Sequence, residues 1–383
     1  MRYQRIFTIV LDSFGVGQAQ DANQFGDFGA DTYGHIQAHM SLHIPNLRKL
    51  GLDALYTPQD HQGIALRLAE HGASKDTLSG HWELMGVVVD SPFQVFSSFP
   101  DALIETLEQA TNHTFIGNKA ASGTQILAEL GHVETETNGS TLILYTSADS
   151  VLQICGNEEI IGLEELYRVC QTAREITMQP QWKVGRVIAR PYIIRNGQYI
   201  RTDHRKDYAV APIQPTVLDY LPYTIGIGKI SDIFSGQGIS ESYHSTSSVH
   251  GMKQTIAMLE KEFRGLCFTN LVDFDAKWGH RRDVEGYGHE LEQFDVLLGE
   301  CLKKMKKDDL LILTADHGND PTWKGTDHTR ENVPCLCYSP QLSRRETLPI
   351  GSFGDVGSTI LYNFGIVQPT YMIGEPIWDI FKP

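Results

Sequence analysis

Three short apolar runs share one ending. Ile6-Phe-Thr-Ile-Val-Leu11 stops at Asp12, Leu266-Cys-Phe-Thr-Asn-Leu-Val272 stops at Asp273 and Asp275, and Leu310-Leu-Ile-Leu-Thr-Ala315 stops at Asp316-His317. Continuous β-rich runs of this kind predict strands buried on both faces, as in a parallel sheet covered by helices. Such sheets bind ligands beyond the carboxyl ends of their strands, so three strands that each deliver an acid there predict one shared site. A single Asp after a strand is more often a helix cap. Three together, two of them with histidines close by, favour the site. Between the runs, residues 285–307 carry Leu291, Phe294, Leu297, Leu298, Leu302 and Met305 at helical spacing, with a basic end that suits a helix C-terminus. Residues 102–110 and 120–130 also read as helices.

The middle of the chain has a different pattern. Thr141-Leu-Ile-Leu-Tyr145, Val151-Leu-Gln-Ile154 and Val187-Ile-Ala-Arg-Pro-Tyr-Ile-Ile194 predict short strands, and Asn196-Gly197 a hairpin turn. Proline-bearing segments, Asp90-Ser91-Pro92 and Ala211-Pro212-Ile213-Gln214-Pro215, frame this region. The expected organisation is an α/β core of residues 1–91 and 216–383, with residues 92–215 inserted as an α+β domain.

Composition narrows the function. Of 383 residues, 41% are hydrophobic and 21% charged, which excludes disorder, collagen and coiled coil. No apolar run is long enough for a membrane helix, which needs about 18 residues or more. Lys and Arg total 32 against 47 Asp and Glu, a net charge of −15, so nucleic acid is not an expected partner. A small anionic substrate stays open where local cations reverse the field. The apolar stretch after Met1-Arg2-Tyr3-Gln4-Arg5 is too short for a signal-peptide core. The six scattered cysteines read as buried free thiols. A cytoplasmic protein is expected.

The densest chemistry is Asp316-His317-Gly318-Asn319-Asp320, followed by Thr326-Asp327-His328-Thr329. Carboxylates with imidazoles and no thiolate suit Mn²⁺, Zn²⁺ or Mg²⁺. Asp275-Ala-Lys-Trp-Gly279-His280 places another such pair across a glycine-bearing loop. The Arg281-Arg282-Asp283 that follows leaves a solvated charged turn as an equal reading. Together with Asp12 these groups can satisfy two metals, which would clamp the attacking and leaving oxygens of a transferring phosphoryl group. Ser74-Lys75-Asp76-Thr77-Leu78-Ser79-Gly80-His81-Trp82-Glu83 opens a helix. A Thr77 hydroxyl at that N-terminus would meet amides able to stabilise an anion, and metal coordination would activate it. A simple cap by Asp76 or Thr77 is the competing reading. Gly15-Val-Gly17 lacks the third glycine of a dinucleotide fingerprint, and Gly226-Ile-Gly228-Lys229 lacks the P-loop spacing.

The acid-ended first strand, Asp-Thr-Leu-Ser-Gly-His-Trp-Glu, Gly-His-Arg-Arg-Asp-x-Glu-Gly-Tyr and Thr-Ala-Asp-His-Gly-Asn-Asp-Pro with its later Asp-His-Thr resemble the alkaline phosphatase superfamily and, within it, the phosphopentomutases. The resemblance spans nearly the whole chain. It implies an alkaline-phosphatase-like αβα core with a mainly parallel sheet, an inserted cap, two Mn²⁺ ions (Mg²⁺, Co²⁺ or Zn²⁺ as substitutes), a phosphothreonine and a ribose 1,5-bisphosphate-type primer. On matching positions, Thr77 would carry the phosphoryl group. Asp12, Asp316 and His317 would hold one metal, and Asp275, His280 and His328 the other. Arg186 and Arg201 would contact the distal phosphate, Asp149 the sugar, and Lys229 would serve from the core side. Ser79 stands where the resemblance implies Thr in many relatives. The implied reaction interconverts ribose or deoxyribose 1-phosphate and 5-phosphate in nucleoside metabolism, with the oligomeric state open. A cofactor-independent phosphoglycerate mutase, a phosphatase or sulfatase-like hydrolase, and a non-catalytic metal scaffold are the alternatives.

Overall fold

The strand Arg5–Leu11 is buried at every position and pairs in parallel with Gly265–Leu271 on one side and Asp309–Thr314 on the other. Both neighbours are themselves buried throughout, as uninterrupted apolar runs require. The register sets Leu11 beside Leu271 and Val10 beside Thr314. All three chains therefore leave the sheet at the same edge, and Asp12, Asp275 and Asp316 emerge together. These features belong to a computed structural model that describes residues 2–89, 93–147 and 150–382. The expected joint at Asp90-Ser91-Pro92 lies outside the described residues.

The chain divides into two compact units, Met1–Asp90 with Ala211–Pro383, and Ser91–Val210. The first holds a nine-stranded sheet among the described residues. Thr224–Ile227 and Glu241–Tyr243 extend its parallel part beyond Gly265–Leu271. On the other side Val333–Tyr338 runs antiparallel to both Asp309–Thr314 and Ile64–Ala69. Helices flank the sheet, the longest being Val284–Lys304, capped by Asp283 accepting from Gly286 N and ending in Lys303 and Lys304.

The second unit carries a six-stranded mixed sheet running in the order Thr114–Ala120, Thr141–Thr146, Val151–Asn157, Arg186–Arg195 and Gln198–Arg201, with Lys206–Ala209 on Arg186–Arg195. Alternation along Thr141–Thr146 sends Leu142 and Leu144 into one core, beneath helices Asp101–Thr111 and Leu163–Ile176. Ile143 and Tyr145 enter another, beneath Gly123–Glu136. The hairpin forms as expected: Arg195 pairs with Gln198, and Asn196 and Gly197 both take positive φ. The expected helix at 120–130 is displaced. Ala120 ends a strand, and the helix begins at Gly123 because Ser122 caps it, accepting from Gln125 N. Among the described residues, no helix is long and apolar enough to cross a membrane.

Candidate active site

Asp12 lies one residue beyond its strand. The next residue, Ser13, takes φ 71, which turns its N–H onto Asp316 Oδ1 at 3.0 Å and ties the two strand ends together. Asp12 Oδ2 accepts from Asn270 Nδ2 at 2.9 Å. That asparagine is the polar break in the run 266–272, and its amide also lies 3.3 Å from His81 Nε2. His81 is fully buried, with Nδ1 2.9 Å from Thr77 O and 3.1 Å from Asp316 Oδ2. The helix that carries it, Thr77–Leu84, lies close to Asp316 only because residue 80 is glycine. A Cβ there would fall 2.0 Å from Asp316 O.

At the start of that helix the two competing readings separate. Asp76 is the cap, its Oδ1 accepting from Leu78 N and Ser79 N. Thr77 Oγ1 lies 3.3 Å from His317 Nε2. The amides of Leu78 and Ser79, expected to stabilise an anion on Thr77, are thus occupied by Asp76.

Asp275 comes from a π-helical turn, Phe274–Gly279, closed by His280 N–H donating to Asp275 O at 3.0 Å. Hydrogen bonding over five residues brings the two side chains to one face, and such turns gather at functional sites. His280 Nε2 lies 3.1 Å from Asp275 Oδ2, and His328 Nε2 lies 3.5 Å from Asp275 Oδ1 and 3.2 Å from His280 Nε2. The His328 ring stacks on His317 with centroids 3.9 Å apart. The other nitrogen of each loop histidine faces a backbone carbonyl, Thr326 O for His280 and Lys75 O for His328. Those contacts orient both Nε2 atoms inward, as outer partners do for metal-binding histidines.

The electrostatics test whether these residues suit divalent cations. Burial pushes the Asp12 carboxyl up, and the like charges of Asp316 and Asp275 push it further. Burial also acts to raise Asp275, but His328, His280 and His317 outweigh it and hold that carboxyl well below its usual range. Asp316 is likewise lowered against its burial by His317 and His81. Burial opposes charge on His317, yet Asp316, Asp12 and Asp275 together raise it well above an ordinary imidazole. The cluster is a buried excess of negative charge that draws in positive charge. Among the described residues Asp12 Oδ1 and Asp316 Oδ2 are buried and accept no well-formed hydrogen bond, facing instead His317 Nε2 at 3.5 Å and His81 Nδ1 at 3.1 Å. Ligand atoms of Asp275, His280 and His328 lie within 4.8 Å of one another, as do those of Asp12, Asp275 and His317. The donor set, carboxylate oxygen and imidazole nitrogen without thiolate, fits Mn²⁺, Mg²⁺ or Zn²⁺. The expectation kept Asp275 in one set; in space it reaches both groups, while Asp316 Oδ2 stands 3.6 Å from His317 Nε2.

The other expected residues lie elsewhere in the chain. In the second unit, Arg186 Nη1 pairs with Asp207 Oδ2 at 3.7 Å. Arg201 Nη2 occupies the place a Cβ on Gly123 would take, at the start of helix Gly123–Glu136. Lys229 is exposed just past Thr224–Ile227 in the first unit. Asp149 lies outside the described residues. Three groups touching the cluster went unassigned in the sequence: His81, Asn270 and Asn319, whose Nδ2 donates to Asp275 Oδ1 at 2.7 Å. Asn270 had a signal, an amide inside an apolar strand.

The family description of the Metalloenzyme superfamily matches residues 4–368. A phosphopentomutase of Clostridium beijerinckii is 51% identical over 391 residues, covering 98% of each chain. One of Agathobacter rectalis is 52% identical over 393 residues, covering 99% of each. Among solved structures, a Leishmania mexicana phosphoglycerate mutase, crystallised at low cobalt concentration, superposes with a TM-score of 0.51 at 12% identity, covering 97% of each chain. That likeness establishes a shared fold.

Proposed function

The chain belongs to the phosphopentomutase family of the metalloenzyme superfamily and is an isomerase; on that premise we propose that it interconverts ribose or 2-deoxyribose 1-phosphate and the corresponding 5-phosphate. The observation that carries this reading is Thr77 Oγ1 at the head of its helix, 3.3 Å from His317 Nε2, which itself lies 3.5 Å from Asp12 Oδ1 and 3.6 Å from Asp316 Oδ2. Phosphorylated Thr77 donates to the free hydroxyl of the bound sugar monophosphate. The P–O bond to Thr77 Oγ1 breaks as a P–O bond to the sugar oxygen forms, and the sugar's hydroxyl proton ends on Thr77. The resulting 1,5-bisphosphate then returns its other phosphoryl group to Thr77 and takes the proton back. A trace of such a bisphosphate would prime Thr77.

Asp12, Asp316 and His317, with Asp275, His280 and His328, would hold two divalent cations, which we take to be Mn²⁺. When bound, these ions neutralise the transferring phosphoryl group and ease deprotonation of a nearby hydroxyl. His317 orients toward Thr77, and Asn270 and Ser13 N–H keep Asp12 and Asp316 fixed as charge develops. We assign recognition of the distal phosphate to Arg186 and Arg201, whose planar forks suit bidentate phosphate contacts, and of the sugar to Asp149, with Lys229 a further cation. The second unit is read as the substrate-recognition cap, and the enzyme as a cytoplasmic one serving nucleotide salvage.

The test supplies ribose 1-phosphate with Mn²⁺ and a trace of 1,5-bisphosphate, and measures ribose 5-phosphate and free phosphate together. Ribose 5-phosphate without released phosphate is expected. Free phosphate alone would make the protein a hydrolase, and neither product would remove the pentose phosphate as substrate.

A further inference from the structure

Arg282, in the charged turn that reads from sequence as either ligand loop or solvated surface, is not solvated in the usual sense. Its Nε donates to Gly325 O at 2.7 Å and Nη2 to Asp327 O at 2.7 Å. Nη1 donates to Gly279 O at 2.9 Å, to Asp320 O at 3.1 Å and to Asn319 Oδ1. The backbone takes φ 56 at this non-glycine residue, a strained conformation that persists only where the surroundings impose it.

Each of these contacts leads to one member of the set Asp275, His280 and His328. Asn319, held at its oxygen by Arg282, donates its amide to Asp275 Oδ1 at 2.7 Å. Gly279 immediately precedes His280. The segment 320–328 is closed at its ends by the Gly318–Thr329 bridge, and Arg282 holds its carbonyls at 320, 325 and 327. From that segment Thr326 O orients His280, and His328 projects from its end. Much of the segment is exposed.

We propose that Arg282 is the positioning residue of the Asp275, His280 and His328 cation set, acting through its fixed fork rather than its charge. This rests on the reading that those three residues hold a divalent cation. The two roles predict opposite signs. A positive charge near a cation site repels the cation, so removing charge alone would tighten binding. Removing the fork frees the segment and both imidazoles and weakens it. Loss of outer partners of metal ligands typically costs about 10- to 100-fold in affinity.

The experiment titrates Mn²⁺ into the full-length wild type, Arg282→Ala, Arg282→Lys and Asp275→Asn proteins. Free Mn²⁺ is read by its electron paramagnetic resonance signal, and folding by Tm. Wild type is expected to bind two ions. Arg282→Ala and Arg282→Lys should both bind one of them about 10- to 100-fold more weakly, the other staying within about threefold. Unchanged or tighter binding of both ions in Arg282→Ala overturns the proposal, as does restoration of both by Lys. Should Arg282→Ala fail to fold, Arg282→Lys decides alone. Two tight ions retained in Asp275→Asn would instead break the reading of the cation set itself, whatever Arg282 does.

Discussion

The two halves of the acid–imidazole cluster stand on different supports. Asp12, Asp316 and His317 follow directly from adjacent, fully buried strands, and their side chains are 3%, 0% and 1% exposed. His280 and His328 come from a π-helical turn and an exposed segment, at 31% and 14%. A ligand at a strand end inherits its position from the register of the sheet, which cannot slip without exposing the whole apolar face. A ligand on a loop has no such lattice and is held by individual bonds, here to Thr326 O, Lys75 O and the Arg282 fork. Asp275 joins the two halves, with a ligand atom in reach of each.

The largest effect expected falls on neither half. Thr77→Ala should lower kcat by at least about 10³-fold, the scale of losing a nucleophile, while both Mn²⁺ ions remain bound. Measured together, activity and metal content separate the carrier from the holders. An ion lost along with the hydroxyl would place Thr77 among the metal-holding groups and redraw the comparison.

A pair of glycines sharpens it further. Alanine at position 80 would drive its Cβ to 2.0 Å from Asp316 O, a backbone atom locked in the strand-held half. Alanine at position 279 would meet Asn319 Nδ2 at 2.8 Å, a side chain of the loop-held half. Gly80→Ala should destabilise by more than about 3 kcal/mol, above the usual overpacking range, and Gly279→Ala by about 1–3 kcal/mol, within it. Thermal unfolding ranks them, and the reverse order would contradict the greater rigidity assigned to the strand ends.

A pH-dependent effect tests what imidazoles do for buried acids. Glu134, in the second unit, is buried like the site carboxylates, but its partners are neutral, Tyr192 OH at 2.7 Å and Asn157 N at 2.6 Å. Burial raises its carboxyl from 4.5 to about 7, outweighing both donors. A folded-state pKa above the unfolded one favours the protonated folded form. Stability is therefore full below the unfolded value and declines as pH rises through about 7. Glu134→Gln removes that decline, so its Tm relative to wild type should climb between about pH 5 and about pH 8. A flat difference would mean that Glu134 stays charged without an imidazole beside it.

Much of this architecture could be read before any coordinates. The three acid-ended runs are adjacent strands, the Asn196-Gly197 turn is a hairpin, and the long amphipathic stretch is the helix Val284–Lys304. The helix expected at 120–130 exists but starts later, at Gly123, for a local reason. Phe115 and Ile116 are apolar neighbours on the strand Thr114–Ala120, while Ser122, a cap, marks where the helical period truly starts. The antiparallel strand Val333–Tyr338 carries no periodic signal that distinguishes it from its parallel neighbours, since both kinds are buried there. Asn270 was visible as a polar interruption. The value of His81 and Asn319 was not, because a histidine or asparagine looks the same whether it faces solvent or a carboxylate.

By itself the sequence determined which residues end up at strand ends, which caps begin helices and which chemical groups the site has to work with. These follow from hydrophobic period and capping, which act over a few neighbouring residues. Only the tertiary structure decided that Asp275 lies in both clusters of candidate donor atoms, that Asp76 takes the amides beside Thr77, and that the Arg282 fork closes on the segment bearing His328. Those outcomes depend on strand register across distant parts of the chain and on backbone carbonyls. A carbonyl is the same group at every residue, so no sequence pattern can say which ones a guanidinium will find.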